Sequence, residues 1–189
     1  VNNSIQTKEI AMHPIIYDVA VSIDGFICGP GGDISRFAQD GAVVEDYSAR
    51  LQDYATAIMG RATYEFGYRF GMQPGQNPYT HMDTIIFSSS LELPDATDVA
   101  TQESCDAATI DAIRRRSEGP IYLCGGGIFA GSLMAMGQID VLRLKRAPII
   151  LGDGVSLFGD TKAPFSLEHT ETRDYGGGYL FQEYRVLNA

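Results

Sequence analysis

Residues 121–133, IYLCGGGIFAGSL, constrain this chain more than any other stretch. A short apolar run, Ile121, Tyr122, Leu123 and Cys124, meets Gly125, Gly126 and Gly127, and an apolar, helix-compatible segment begins at Ile128. A strand that stops on glycines and restarts as a helix brings bare backbone and unpaired N–H groups to one point, at the positive end of the helix dipole. Such a turn either cradles a phosphate or is a tight strand-to-helix reversal with no ligand. The spacing Gly125-x-Gly127-x-x-Ala130 also fits the dinucleotide fingerprint, which asks for an acidic residue about 20 positions later. Asp140 comes too early for that role and Asp153 too late.

Apolar runs and helical patterns alternate through the rest of the chain. Residues 15–21 read as a strand that ends in Ser22-Ile23-Asp24-Gly25, and a loop rich in glycine and proline covers 28–33. Val44, Tyr47, Leu51 and Tyr54 recur at helical spacing, which predicts an amphipathic helix with Glu45 and Asp46 on its solvated side. Residues 55–59 read as a buried strand that Gly60-Arg61-Ala62-Thr63 turns into a further helix, followed by a loop over 70–78. A third strand, 83–87, stops at Ser88, Ser89 and Ser90. Asp106 suits the N-cap of a helix over 106–117, and Gly119-Pro120 stands beyond its end. Arg114, Arg115 and Arg116 fall in its last turn, where positive charge complements the dipole.

Residues 141–147 alternate apolar and basic side chains like a half-exposed strand, and 165–175 with 179–187 form a hairpin about three glycines. The order predicts an α/β fold of three layers. Helices cover both faces of a mixed, mainly parallel sheet that ends in a C-terminal antiparallel hairpin. One domain is expected over 15–189, after a polar leader over 1–14 that is expected to be partly disordered.

Charge narrows the partners. Fourteen basic against 24 acidic residues give a net charge of −10, which argues against nucleic acid and anionic membranes. Cys28, Cys105 and Cys124, and likewise His13, His81 and His169, show no metal-ligand spacing, so no metal is expected. Free thiols, no run approaching the ~18 apolar residues of a membrane helix and no apolar leader core make the cytoplasm the expected compartment.

Three predicted strands end alike: Gly60-Arg61, Ser88 to Ser90 and Gly125 to Gly127 each set small or donor residues after an apolar run. Ligands of open α/β sheets bind at the carboxyl ends of strands, so three donor-rich loops there suit a diphosphate with a further phosphate. Arg61 and the serines could take the 2′-phosphate of NADP, or form an ordinary surface salt bridge and a polar loop. The chain lacks a Gly-x-Ser-x-Gly elbow, a Gly-x-x-x-x-Gly-Lys loop and the His-x-Glu with Cys-x-x-Cys of zinc deaminases.

The ordered segments VAVSIDGFICGPGGD, AIMGRATYEFG, IIFSSSLELP, GPIYLCGGGIFAGSLMAMGQIDVLRLKRAPIILGDGVSLFGD and YLFQEYRV resemble the dihydrofolate-reductase-like family. The likeness is greatest to the branch that includes the C-terminal reductase domain of bifunctional riboflavin-biosynthesis deaminase-reductases, and it spans about residues 15–187. It implies an eight-stranded, mainly parallel sheet, an NADPH site and a homodimer. Carried over by position, it implies that Ala20 and Ile27 line the nicotinamide and that Gly60, Arg61, Ala62 and Thr63 turn at the cofactor phosphates. Ser88 and Ser89 would lie near the 2′-phosphate, and Gly125, Gly126, Gly127 and Ile128 would hold the pyrophosphate. Ser22, Asp24 and Gly25 would stand beside the substrate. The chain departs from the family in having no tryptophan.

The expected activity is transfer of hydride from NADPH to a C=N or C=O bond of a small riboflavin-precursor-like or pterin-like heterocycle. Asp33 or Asp40 is the expected proton donor, and the loop 22–33 would close over the substrate. The alternative is a non-catalytic module that binds a nucleotide or pterin-like ligand.

Overall fold

The computed structural model describes residues 12–187, so residues 1–11 of the leader expected over 1–14 lie outside the described residues, while the backbones of His13 and Pro14 are hydrogen-bonded to Arg114 and Ile121. The chain runs β1 (Ile15–Val21), β2 (Phe26–Cys28), α1 (Ala42–Leu51), β3 (Thr56–Gly60), α2 (Arg61–Phe66), β4 (Asp83–Phe87), β5 (Ala100–Gln102) and α3 (Ala107–Arg116). It continues through β6 (Ile121–Gly125), α4 (Gly127–Ala135), β7 (Val141–Arg146), β8 (Val155–Ser156), β9 (Ser166–Asp174) and β10 (Leu180–Leu187). Eight strands form one sheet in the order β5-β4-β3-β6-β1-β7-β10-β9, while β2 and β8 pair separately. All neighbours from β5 to β7 are parallel, and β10 joins β7 and β9 antiparallel. The α/β architecture expected from the sequence is the one observed.

The central strands are continuous apolar runs because both of their faces are covered. On one face Tyr17, Ile58, Ile85 and Leu123 pack with Ile110 and Ile113 of α3 and with Ala130, Leu133 and Met134 of α4. On the other, Ile16, Ala57, Met59, Ile86 and Tyr122 pack with Tyr47 and Leu51 of α1, Tyr54 and Tyr64. The edge strand β9 is exposed along nearly its whole length, and its charged side chains (Glu168, Glu171 and Arg173) discourage strand pairing with other chains.

Register sets up the site. Thr56 and Ile15 both stand level with Ile121, and Gly60 stands level with Phe87, so β3, β4 and β6 release their loops at one edge of the sheet. The residue after each strand then faces the same cleft.

Three local differences from the sequence reading have physical causes. β5 was not expected, because Ala100, Thr101 and Gln102 carry no apolar alternation and its place follows from pairing with β4. Arg114 is buried rather than a surface complement to a helix end: it donates to Asp140 Oδ1 and Oδ2, Gln138 Oε1 and the His13 carbonyl. Asp46 is ion-paired to Arg50 and Arg173 and accepts from the Tyr175 hydroxyl, so it does not lie on a free solvated face, whereas Glu45 does.

Candidate active site

Two cavities open along the carboxyl edge of the sheet. The larger, about 820 Å³, runs over the ends of β3, β4 and β6 and is lined by Gly60, Arg61, Ala62, Thr63, Ser88, Ser89, Gly126, Gly127 and Ile128 among others. The smaller, about 250 Å³, lies between β1, β7 and α1 and is lined by Ala20, Phe37, Val43, Val44, Tyr47, Lys145, Ala147 and Tyr179 among others. Ile27 and Ile34 line both, so the two meet there.

One wall of the large cleft is built from backbone at the ends of β3 and β6, while Val19, Phe66 and Phe87 are among the apolar side chains that line the rest. Helix α4 starts at its wall with Gly126 as an N-cap that supplies no side-chain acceptor, which leaves N–H groups of the first turn free to meet a ligand. A Cβ on Gly126 would come 3.1 Å from Thr63 Oγ1, inside the cleft wall. Gly127 is held for another reason. A Cβ there would lie 2.1 Å from the Ser156 carbonyl oxygen, so α4 can pack on β8 only with glycine at that place. Gly125 lines neither cavity; it turns the chain with φ 116°, and its bond to Gly126 is cis.

Arg61 donates from Nε to Glu65 Oε1 at 2.8 Å and from Nη1 to the carbonyl and hydroxyl oxygens of Ser90 at 3.1 and 2.9 Å. Its exposed guanidinium therefore sits beside the serine loop, where a phosphate would gain a charged partner. Glu103, also in the lining, opposes a phosphate at that end. Phe129 packs on Phe87 with ring centroids 4.8 Å apart and gives the cleft an apolar wall. All three cysteines line the cleft, and burial pushes their thiols up, so they stay protonated rather than nucleophilic.

The residues expected beside the substrate hold a turn instead. Ser22 Oγ donates to Asp24 Oδ1 at 2.6 Å and accepts from the Phe26 N–H, while Asp24 also accepts from the N–H groups of Leu151 and Gly152. The Ser22 hydroxyl and those N–H groups hold the Asp24 carboxyl down at about 2. Gly25 follows at φ 87°, and none of the three lines a cavity. The Ser-x-Asp-Gly string is a turn signature.

Nor do Asp33 and Asp40 reach a cavity. Asp33 is exposed and accepts from the Ser35 N–H at 2.9 Å, and Asp40 is exposed as well. The charged residue that does line the small cavity is Lys145 on β7, whose sequence signal is only that of one basic residue in an alternating strand.

Beneath Lys145 lies a buried ionic layer. Asp18, fully buried on β1, accepts from Arg50 Nε at 3.0 Å, from Arg50 Nη2 at 3.3 Å and from the Tyr54 hydroxyl at 3.3 Å. Arg50 reaches on to Asp46 at 2.6 Å and lies over the Phe181 ring. Arg143 bridges Glu183 and the Tyr54 hydroxyl. Three tyrosines surround the layer: Tyr47 and Tyr122 share a hydroxyl bond of 2.6 Å, and the Tyr79 ring stands edge-on to that of Tyr122.

The family model of the RibD C-terminal domain matches residues 13–181. The chain belongs to that family. It is 23% identical over 183 residues to the uncharacterized protein YyaP of Bacillus subtilis, covering 92% of this chain and 95% of that one. Among solved structures it is similar to a Shewanella sp. PV-4 protein with a suggested role in riboflavin biosynthesis. That likeness has a TM-score of 0.78 and 21% identity, and covers 94% of this chain and 100% of the other. A dihydrofolate reductase from Enterococcus faecalis complexed with NADP(H) is similar too, with a TM-score of 0.64, 20% identity and coverage of 93% and 97%. These likenesses establish a fold shared by RibD C-terminal domains and dihydrofolate reductase. Among the described residues no helix is long and apolar enough to cross a membrane, and no cluster of His, Cys, Asp or Glu is suited to a metal ion.

Proposed function

We propose that this RibD C-terminal domain protein is an NADPH-dependent reductase of a small heterocyclic C=N or C=O compound. The observation that carries the reading is that the two cavities share Ile27 and Ile34 in their linings: a large cleft with glycine, serine and arginine residues along one wall adjoins a smaller pocket. That is the arrangement a hydride transfer needs, with one site for the extended donor and one for the acceptor.

The residues present fit the cofactor. The uncapped N-terminus of α4 and the missing Cβ of Gly126 suit the pyrophosphate, and Arg61 with Ser88 and Ser89 suits the 2′-phosphate. When bound, NADPH supplies hydride to the acceptor. The chain's own part is to fix the two molecules face to face and to exclude water. Ile27, Cys28, Gly31 and Gly32 carry the loop after β1 across the cleft, and Ile27 and Ile34 form an apolar threshold between the cavities. The match of this family to a reductase fold supports the same reading.

Calorimetric titration with NADPH and NADH tests it. NADPH is expected to bind at least tenfold more tightly, through a charge-assisted contact worth about 1.5–3 kcal/mol. Equal affinities would remove the 2′-phosphate assignment, and no affinity for either would remove the reductase. We also propose a homodimer in which a second chain covers part of the exposed β9–β10 hairpin. Light scattering at micromolar concentration that gave the mass of a single chain would refute it.

A further inference from the structure

Among the residues lining the small cavity, Lys145 is the only one that carries a charge at neutral pH. The alternation of β7 turns it to the α1 face, where its ammonium lies 2.9 Å from the centre of the Tyr47 ring. Its nearest anion, Asp18 Oδ1, is 3.8 Å away, too far for a direct hydrogen bond. Asp18 spends its close contacts on the two nitrogens of Arg50 and on Tyr54. Lys145 thus keeps N–H donors without a hydrogen-bonded partner among the described residues, beside a space whose other polar lining residues, Gln39, Tyr47 and Tyr179, carry no charge. A cation placed so costs desolvation unless something uses it.

We infer that Lys145 is a catalytic residue: its ammonium meets the heteroatom of the substrate's C=N or C=O bond and gives that atom its proton. This rests on the reductase reading. The carbon gains hydride from the reduced nicotinamide, and the π pair moves to the heteroatom. That atom takes a proton from Lys145 Nζ as one N–H bond breaks. The substrate gains two hydrogens, the cofactor leaves oxidised, and the neutral amine regains its proton from solvent.

The surroundings suit a donor of this kind. Burial pulls Lys145 down to about 8, Asp18 resists that, and Arg50 adds to it. The other groups around it are the protonated Cys124 thiol of β6, the Tyr47 hydroxyl bonded to Tyr122, the Phe181 ring opposite it on β10, and Gln39 and Tyr179 across the cavity. Lys145 is therefore still charged at neutral pH, yet a stronger acid than a solvated lysine. The same charge selects the substrate: neutral or anionic acceptors fit, and cations are repelled.

Two single-ring probes of similar shape and opposite charge, benzoate and benzamidine, test the placement without any turnover. At pH 6.5 the wild-type chain is expected to bind benzoate at least tenfold more tightly, and Lys145→Met is expected to erase that preference. The preference should also fade as pH rises through about 8. No preference in the wild type, or one unchanged in Lys145→Met, overturns the inference.

Turnover of a panel of cyclic imines and carbonyls with NADPH tests the chemistry. Lys145→Arg keeps the charge but holds its proton too tightly to give it up, so it should bind benzoate yet lose about 10²-fold or more in kcat. Wild-type kcat in Lys145→Arg overturns the proton transfer. NADPH binding, measured separately, should be unchanged in both variants. Its absence in the wild type would sink the reductase reading and leave the probe result to judge Lys145 on its own.

Discussion

The two cavities are made from different materials. The large cleft takes its polar wall from local backbone features: glycines at the ends of β3 and β6, an uncapped helix start, and a serine loop with Arg61 beside it. The small cavity takes its character from side chains brought together from β1, α1 and β7, with a buried layer of opposite charges under its floor. Backbone features come from neighbours in sequence, whereas the ionic layer joins residues 32 positions apart in the pair Arg50–Asp18 and 127 apart in the pair Arg173–Asp46. Substitutions in the two regions should therefore fail in different ways.

The largest effect is expected under the small cavity. Asp18→Asn takes the buried carboxylate away from Arg50 and Lys145 and leaves Arg50 with Asp46 alone, which should cost about 3–5 kcal/mol of stability by denaturant unfolding. A loss under about 1 kcal/mol would mean that the ionic layer is not a structural unit.

Next comes a contrast of two adjacent glycines in the cleft. Gly127→Val drives carbon into the Ser156 carbonyl, 2.1 Å from the ideal Cβ, and should cost about 3 kcal/mol or more. Gly126→Val should leave cooperative unfolding nearly intact and abolish NADPH binding, because its Cβ would meet only Thr63 Oγ1, at 3.1 Å, where both residues line the cleft. If Gly126→Val also unfolds the chain by circular dichroism, that glycine serves the fold alone.

A pH effect of intermediate size belongs to Lys145. In the fold it holds its proton only up to about 8, against the ordinary 10.5, so between those values the unfolded chain carries the extra proton. Stability from this group then rises with pH across the window, by at most about 1.4 kcal/mol per pH unit. The raised cysteines and tyrosines act in the opposite sense, so the measurement is the difference between wild type and Lys145→Met. Parallel stability curves from pH 8 to 10 would refute the depressed lysine.

The smallest structural effect falls on Arg61. Its pair with Glu65 is exposed and should contribute under about 1 kcal/mol, so Arg61→Ala should barely move the unfolding midpoint. NADPH affinity should nonetheless fall about tenfold while NADH changes little. Glu103→Gln should shift NADPH the other way, by a few fold, since it removes a negative charge from the same end of the cleft. Loss of both nucleotides alike in Arg61→Ala would make that arginine a structural residue.

Most of the cleft was legible because its signals are short: an apolar run, then glycine or serine, then a helix. Gly60, Arg61, Ala62, Thr63, Ser88, Ser89, Gly126, Gly127 and Ile128 do line one cavity. Gly125 does not, for it is spent on the turn itself. The substrate side read poorly. Ser22 and Asp24 carry the polar atoms a binding site would want, but those atoms clasp the β1–β2 turn to residues 151 and 152. Asp33 and Asp40 were candidates by nearness in sequence, and nearness in sequence does not aim a side chain.

Sequence alone determined the main helices and strands, their alternation, the antiparallel end of the sheet and the family, but not the short strands β2, β5 and β8. Periodicity, glycine placement and caps act within a few residues, and each is visible as a string. Tertiary structure alone decided which acid and which base were buried together. In sequence Asp18 is the one polar residue of an apolar run and Lys145 one basic residue of an alternating strand. Only when β1 and β7 align in parallel, with Asp18 opposite Arg143 and Ala20 opposite Lys145, does α1 bring Arg50 down onto Asp18. Lys145 is then left with its charge facing the small cavity, because the closer cation has taken the carboxylate.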